Sequence, residues 1–521
     1  MSSLLKAGKV LVLFFYFISY VYCQPGCPGP CVSGFQCQHH GGRILGPCGS
    51  GQVCCEYGGN SGTCGHIARG NKVSNFKSPD YPTYSSGSLI CKFDLELSTS
   101  STGVRLDFLD LVMDSTPVDA KFYDMATPSC DSDMFFIKGF KDWSPDPRCG
   151  NLTGYSALVE LEPGQPVLTL VFVMSSFAYK WHVRLTEITH AEIQQAGQIL
   201  DNKVMLSYPP APQRPFYPGR LSEVTQLSRN KSQSPKRVPL IGGGADATPS
   251  SVPWQASLQT IQQMPVGLCG EPKNLSIHFC GGSIIDDRTI VTAAHCFLSA
   301  AKYPHPMMDL NLMKIVVGEH NLCHVDEVPH TRSIPVASVI FHFNYLSAEI
   351  INDIALVKLA NPIQFNPGVQ PIALAYPGIQ TTGMMPLLSG WGSIGTEENA
   401  TYPPILQQTS AIEVMSEQDC MKSTVNYLKL NPHNRLSFKY KSGVSRGVCT
   451  RGIDTIIEAG FGDSGGPLAV MDKSTSRYYL YGVVSHKRPE RDEKAGRSYN
   501  LNYFGKIPDY GTWILMGLVP P

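Results

Sequence analysis

Apolar and polar residues alternate with a period of two along much of the middle of the chain. Val104-Arg105-Leu106-Asp107-Phe108 alternates apolar and charged residues and reads as a strand. Val167-Leu168-Thr169-Leu170-Val171-Phe172-Val173 reads as a second such strand. Turn residues punctuate such runs, so residues 64–188 are expected to form a β-sandwich. A different apolar run, from Val10 to Cys23, follows Lys6 and Lys9 and is too short and too early for an ordinary spanning helix. It ends in Val21-Tyr22-Cys23, smallish residues where a signal peptidase reads, so residues 1–23 are expected to be a cleaved signal. No later stretch is long and apolar enough to span a bilayer. The mature chain is expected to be secreted and extracellular, with no membrane span.

Composition narrows this picture. A chain of 521 residues predicts two or three domains. Lys plus Arg equals Asp plus Glu, 42 each, so net charge points to neither a nucleic-acid nor an anionic-membrane partner. Removing Cys23 from the 17 cysteines leaves an even number, which in an oxidising compartment reads as disulfides. A zinc site is the competing reading, and it is set aside because the cysteines pair off domain by domain. Asn151, Asn230, Asn274 and Asn399 each open an Asn-X-Ser/Thr sequon, consistent with secretion. Residues 24–63 hold Cys27, Cys31, Cys37, Cys48, Cys54 and Cys55 in a segment too short to bury a core, so crosslinks must hold it. Their connectivity is not legible. Within 64–188, Cys64 with Cys91 and Cys130 with Cys149 make two bridges. Residues 189–240 are proline-rich and basic, with Tyr208-Pro209-Pro210-Ala211-Pro212 and then Arg220, Arg229, Lys236 and Arg237. They are expected to be a flexible linker open to proteolysis.

Two resemblances concern the N-terminal half. The adjacent Cys54-Cys55 closing a small cysteine-rich segment resembles the clip domains of arthropod serine proteases. Ser78-Pro79-Asp80-Tyr81-Pro82 before Cys91, and Cys130-Asp131-Ser132-Asp133 before a strand, resemble a CUB domain. That resemblance implies binding of a protein partner. Many CUB domains hold calcium, and Asp133 matches one ligand position, but Ser175 or Ser176 stands at the late acidic one. No metal is therefore expected, and Asp133 reads equally as a turn residue.

The C-terminal half carries the chemistry. Pro253-Trp254-Gln255, Cys280-Gly281-Gly282-Ser283, Thr292-Ala293-Ala294-His295-Cys296, Asn352-Asp353-Ile354-Ala355-Leu356-Val357, Ser389-Gly390-Trp391-Gly392 and Gly462-Asp463-Ser464-Gly465-Gly466-Pro467 occur in that order. Together they resemble a chymotrypsin-like serine protease over residues 241–521, which implies an all-β double barrel. A serine hydroxyl is a poor nucleophile at neutral pH and needs a base. A histidine titrates near that pH and can take the proton and return it to the leaving amine, while a buried carboxylate holds the imidazole. The resemblance assigns these roles to Ser464, His295 and Asp353, and the oxyanion hole to the N–H groups of Gly462 and Ser464. It implies disulfides Cys280–Cys296 and Cys420–Cys449; Cys269 and Cys323 remain as a pair. Gly462-Asp463-Ser464-Gly465-Gly466 also fits the nucleophile elbow of α/β-hydrolases, but that fold places its acid and histidine after the serine. Here both precede it.

Three positions depart from the family. Its members pair a newly cut α-ammonium with the aspartate before the nucleophile, here Asp463. The matching start is Ile241, yet the nearest basic residue is Arg237. A cut there leaves the ammonium up to about 10 Å out of place, so a cut after Leu240 is expected. The floor of the specificity pocket falls at Glu458. It either attracts Lys or Arg substrates or pairs with Lys487 in the wall Ser485-His486-Lys487. The usual disulfide clamping the pocket is missing: Gly460 replaces one cysteine, and residues 487–494 are expected to be a mobile charged loop. Ala373 stands where a cysteine usually tethers the N-terminal part. The reading is a secreted serine endopeptidase made as a zymogen. It needs no cofactor, acts on protein or peptide substrates, and uses its CUB domain to bind a partner, as in a venom or haemolymph cascade. The alternative is a catalytically weak homologue that acts by binding.

Overall fold

In the computed structural model, residues 31–39, 43–47, 52–56, 66–69, 72–113, 133–140, 148–162, 166–176, 178–207, 244–261, 276–297, 309–324, 330–345, 352–395, 400–430, 447–453, 457–492 and 497–520 are described. Near the N-terminus, Cys31–Ser33, Gln52–Glu56 and Arg43–Pro47 form a three-stranded sheet beside helix α1 (Gly34–His39). The Cys37–Cys55 disulfide crosslinks it, which supplies one pairing that the sequence leaves open.

The alternating run at 104–108 lies in strand Ser101–Val112, and the apolar run at 167–173 in strand Val167–Met174. They belong to two facing sheets. One has the order His66–Arg69, Leu89–Glu96, Val167–Met174, Met134–Lys138; the other has Tyr155–Glu160, Ser101–Val112, Lys180–Thr189, Val73–Lys77. The inner faces meet through aromatic rings. Phe172 stacks on Trp181 at 4.4 Å and Phe76 on Phe93 at 4.8 Å between centroids, and all four side chains are buried. Such rings bring large apolar areas out of water and favour a fixed packing.

Residues 190–207, expected as the start of a linker, are instead helix α2 (His190–Ser207). A capping box starts it. Thr189 Oγ1 accepts from Glu192 N at 3.3 Å, and Thr189 N donates to Glu192 Oε2 at 2.9 Å, so two N–H groups left open by the helix start are satisfied.

Two β-barrel units follow. The first is a closed six-stranded barrel in the order Met313–Val317, Gln255–Ile261, Ser276–Asp286, Thr289–Thr292, Ala355–Leu359, Arg332–His342, with the last pairing back to the first. Its interior is aliphatic: Ile284, Ile290, Val291, Leu356 and Val357 are all fully buried. The second is an open half-barrel built on Met385–Gly390, Pro467–Asp472, Arg477–Asp492, Arg497–Lys506 and Gly447–Gly452. This all-β pair is the double-barrel fold expected from the sequence, and helices α3 (Glu417–Leu430) and α4 (Gly511–Leu518) flank it.

Residues 487–492, expected to open a mobile loop, continue a strand that pairs in register from Lys487–Asn502 to Asp492–Arg497. Backbone pairing, rather than a disulfide, organises this segment.

Candidate active site

His295 sits in a short 3₁₀ turn (Ala294–Phe297) at the end of strand Thr289–Thr292, and the Cys280–Cys296 disulfide pins that turn to the neighbouring strand. Asp353 lies just before strand Ala355–Leu359, which pairs with Thr289–Thr292, so the barrel ladder brings the two together. Asp353 is buried and accepts two bonds from His295: from the backbone N at 2.9 Å and from Nδ1 at 2.7 Å. A carboxylate only accepts, so Nδ1 carries the proton and Nε2 of the neutral ring is left to act as a base. Ser485 Oγ adds a third bond to Asp353 Oδ2 at 2.6 Å.

Burial alone would depress the His295 pKa, but the charge of Asp353 and its hydrogen bond outweigh that and raise it. Burial pushes Asp353 up, while the His295 charge, the bonds from His295 and that from Ser485 bring it below its usual value. Asn352, just before Asp353, has φ +53°, a left-handed backbone that Asn tolerates. Its side chain is anchored by Nδ2 donating to Asn344 O at 3.0 Å and by Tyr510 OH donating to Oδ1 at 3.4 Å.

Ser464 comes from the other barrel. Gly281 N donates to Ser464 O at 2.7 Å, and the following Gly465 N donates to Val484 O at 2.7 Å. Gly281 lies in strand Ser276–Asp286, beside Cys280, and that strand pairs with Thr289–Thr292, which leads to His295, so the serine segment is stitched to the histidine side of the cleft. Ser464 Oγ forms no hydrogen bond with His295 among the described residues; such contacts often tighten only when substrate binds. Around the serine, the N–H groups of Asp463, Gly465 and Gly466 are all used, on Gly460 O, Val484 O and Asp463 O. The N–H groups of Gly462 and Ser464 have no hydrogen-bond acceptor among the described residues. Gly462 has φ +104°, a conformation that side chains rarely adopt. Two uncommitted N–H groups on one turn are the donor set that an oxyanion requires.

Asp463 is buried and accepts from Gly392 N at 2.7 Å and Gly460 N at 2.8 Å. A Cβ on Gly392 would lie 2.2 Å from this carboxylate, and one on Gly460 would lie 1.9 Å from Ser393 O. The first explains a glycine of Ser389-Gly390-Trp391-Gly392. The second shows that the backbone at 460, as it runs here, has no room for a side chain. Burial raises the Asp463 pKa to about 6 despite the two backbone bonds. No cation pairs with its side chain among the described residues. Ile241 and Leu240 lie outside them.

The sequence did not single out His278. Its Nε2 donates to Gly462 O at 2.9 Å and its Nδ1 accepts from Ser257 Oγ at 2.8 Å, while burial lowers its pKa to about 4 and keeps it neutral. Only its position two residues before Cys280 hinted at a role. Lys487 Nζ lies 3.7 Å from Glu458 Oε2, so these two candidates for a specificity pocket are brought together. His486 stacks on Tyr503 at 5.0 Å, and its Nδ1 lies 3.2 Å from Ser485 Oγ.

Cys420 and Cys449 are bonded to each other. Cys91, Cys149 and Cys323 are each disulfide-bonded; their expected partners Cys64, Cys130 and Cys269 lie outside the described residues, as do Asn230, Asn274 and Asn399. Asn151 is exposed, as a glycan acceptor requires. Asp133 is fully buried. Its Oδ1 accepts from Ser175 N and Ser176 N, both at 2.9 Å, and its Oδ2 accepts from Ser176 Oγ. The serines standing at the late acidic position thus occupy the carboxylate themselves. Cys280, His295 and Cys296 cluster closely, but both sulfurs are in a disulfide and offer no thiolate. No helix among the described residues is long and apolar enough to cross a membrane.

The trypsin family profile matches residues 241–514. Among curated proteins, Trypsin-1 of Astacus astacus is 33% identical over 245 residues, 47% of this chain and 88% of that protein. Transmembrane protease serine 11G of Rattus norvegicus is 28% identical over 280 residues, 53% of this chain and 55% of its own length. Serine protease 1 of Rattus norvegicus is 34% identical over 180 residues, 34% of this chain and 60% of that protein. The chain therefore spans only about half of some of the relatives it matches.

Proposed function

The chain belongs to the trypsin family and carries a serine-type peptidase domain, and on that premise we propose that it is an endopeptidase acting through Ser464, His295 and Asp353. The observation that carries this is the pair of hydrogen bonds that His295 donates to Asp353; the one from Nδ1 fixes the imidazole tautomer, with Nε2 free to take a proton. Ser464 attacks the scissile carbonyl as His295 takes its proton. The N–H groups of Gly462 and Ser464 hold the oxyanion, and His295 returns the proton to the leaving amine. Water then repeats the sequence on the acyl-enzyme.

The protein is a secreted zymogen in this reading, with Asn151 glycosylated. The cut after Leu240 frees the Ile241 ammonium, which pairs with Asp463. The buried carboxylate, with a pKa of about 6 and only backbone donors, is suited to receive that charge. The sandwich at 64–188 is a CUB domain that binds a protein partner, as in a venom or haemolymph cascade. The Glu458–Lys487 contact favours a pocket that does not select Lys or Arg. It also supports a second reading, a weakly active homologue that works by binding. The test is hydrolysis of an unstructured protein by the processed chain, combined with terminal sequencing of the catalytic part. Cleavage with an Ile241 terminus supports the proposal; cleavage with a Val238 terminus would overturn the activation step, and no cleavage would overturn the enzyme reading.

A further inference from the structure

The N-terminal sandwich and the catalytic barrels are not separate bodies joined by a string. Strand Tyr155–Glu160 of the sandwich pairs in parallel with Arg332–His342 of the closed barrel, in the register Tyr155–Val339 to Leu158–His342. One sheet therefore runs from Val73–Lys77 through to the barrel. Around this seam, Phe135 and Phe140 lie 6.3 and 5.3 Å from Phe343, and Phe108 stacks on Phe341 at 6.5 Å. Arg148 Nη2 donates to Phe343 O at 3.0 Å and to Tyr345 O at 2.9 Å. Helix α2 closes a second contact. Leu200 is buried with Ala373 against Leu515 and Leu518, and Lys203 pairs with Asp287 at 2.5 Å. A Cβ on Gly197 would lie 3.5 Å from Leu515, and one on Gly517 would meet Leu356 on one side and Leu158 on the other. Helix α4 is therefore wedged between sandwich and barrel. The buried residues of the two units form one continuous apolar cluster.

The contacts that cross this seam join residues N-terminal to 208 with residues C-terminal to 243. The three disulfides with both partners described lie within one unit each. We propose that the N-terminal unit, through α2, is a resident subunit of the processed protein, held on the catalytic barrels without a covalent link after the chain is cut between residues 208 and 240. Where the family pattern has a tethering cysteine, Ala373 here packs under Leu200, so a helix takes the place of a crosslink. Main-chain pairing and a shared apolar core are the features of a permanent interface rather than a transient one.

The occurrence of such a cut in nature rests on the zymogen reading above, but the docking can be tested without it. A recognition site for a sequence-specific protease is placed between residues 220 and 236 of the full chain, and the purified protein is cut to completion. Co-elution of both fragments at the intact mass in size-exclusion chromatography at micromolar concentration is expected, with separation on a non-reducing denaturing gel. Separate elution would overturn the proposal, as would fragments that stay joined on the non-reducing gel. Leu200→Asp is expected to weaken the contact and shift elution toward free fragments. Elution unchanged from the parent would remove α2 from the interface and overturn its role as the tether. Co-eluting fragments with no peptidase activity would sink the enzyme reading and leave this one standing.

Discussion

Lys487→Ala removes the ammonium that lies 3.7 Å from Glu458 Oε2. In the proposed reading, Glu458 is the floor of the specificity pocket, against which a substrate Lys or Arg would bind. Lys487 occupies that charge in advance, so a cationic substrate must displace it and then tolerate its repulsion. Coulomb's law at this separation gives about 1 kcal/mol in bulk water and about 4 kcal/mol at an effective dielectric of ~20. The two side chains retain 32% and 24% of their exposure, which places the pair between these limits, at about 2 kcal/mol, and makes it sensitive to salt. At 1.4 kcal/mol per decade, this corresponds to about a 30-fold change. The assay is kcat/KM for chromogenic peptides ending in arginine and in leucine, measured on the processed protein and on the variant. The ratio of arginine to leucine is expected to rise about 30-fold in Lys487→Ala at low salt, and by less at high salt. An unchanged ratio would show that Lys487 does not control the pocket, and a fall would contradict the geometry outright.

Other outcomes follow from the same site. His295 must be neutral to take the serine proton, so kcat/KM should rise with pH through its pKa. That pKa is raised from 6.5, so the acid limb should have its midpoint above 6.5; a lower midpoint contradicts the Asp353 contact. In the uncut chain, Asp463 has a folded pKa of about 6 against an ordinary 3.8, so the folded state binds the proton more tightly. Stability should therefore fall as pH rises through that window, by about 3 kcal/mol in all, and level off above it. Asp463→Asn should lose this slope: in urea unfolding, its stability relative to the parent should improve by about 2.4 kcal/mol between pH ~4 and pH ~7, and a constant difference would refute the unpaired carboxylate. Arg148→Met removes two charge-assisted bonds to Phe343 O and Tyr345 O and should cost about 2 kcal/mol in denaturant unfolding, whereas a loss below about 0.5 kcal/mol would mean that these bonds do not hold the seam.

What the sequence disclosed depended on whether the signal was local. The strand Val167–Met174 announces itself because its apolar run is its own burial pattern. The turn that carries His295 and the glycines around Ser464 are legible because close backbone approaches admit few residue types: Gly392 leaves no room for a Cβ beside Asp463. Helix α2 was hidden by its neighbours. The prolines from 209 onward dominate the segment, although Thr189 and Glu192 form a capping signal just before it. The charged residues at 487–492 lack the apolar alternation of a buried strand, so nothing local showed that they continue the pairing of Arg477–Asp492. The seam between Tyr155–Glu160 and Arg332–His342 joins residues nearly two hundred positions apart, and no periodicity within either strand names its partner. The contact of His278 with Gly462 is equally non-local, and a lone histidine beside a disulfide carries no mark of it.

The central claim is that Ser464 is a nucleophile activated by the His295–Asp353 pair. Its most direct test is reaction of the fully processed protein with a fluorophosphonate probe, beside Ser464→Ala and His295→Ala. Labelling of the parent that maps to Ser464, with none in Ser464→Ala and a loss of at least about a hundredfold in rate in His295→Ala, is the predicted result. A processed protein with an Ile241 terminus that takes up no probe at Ser464 would contradict the account.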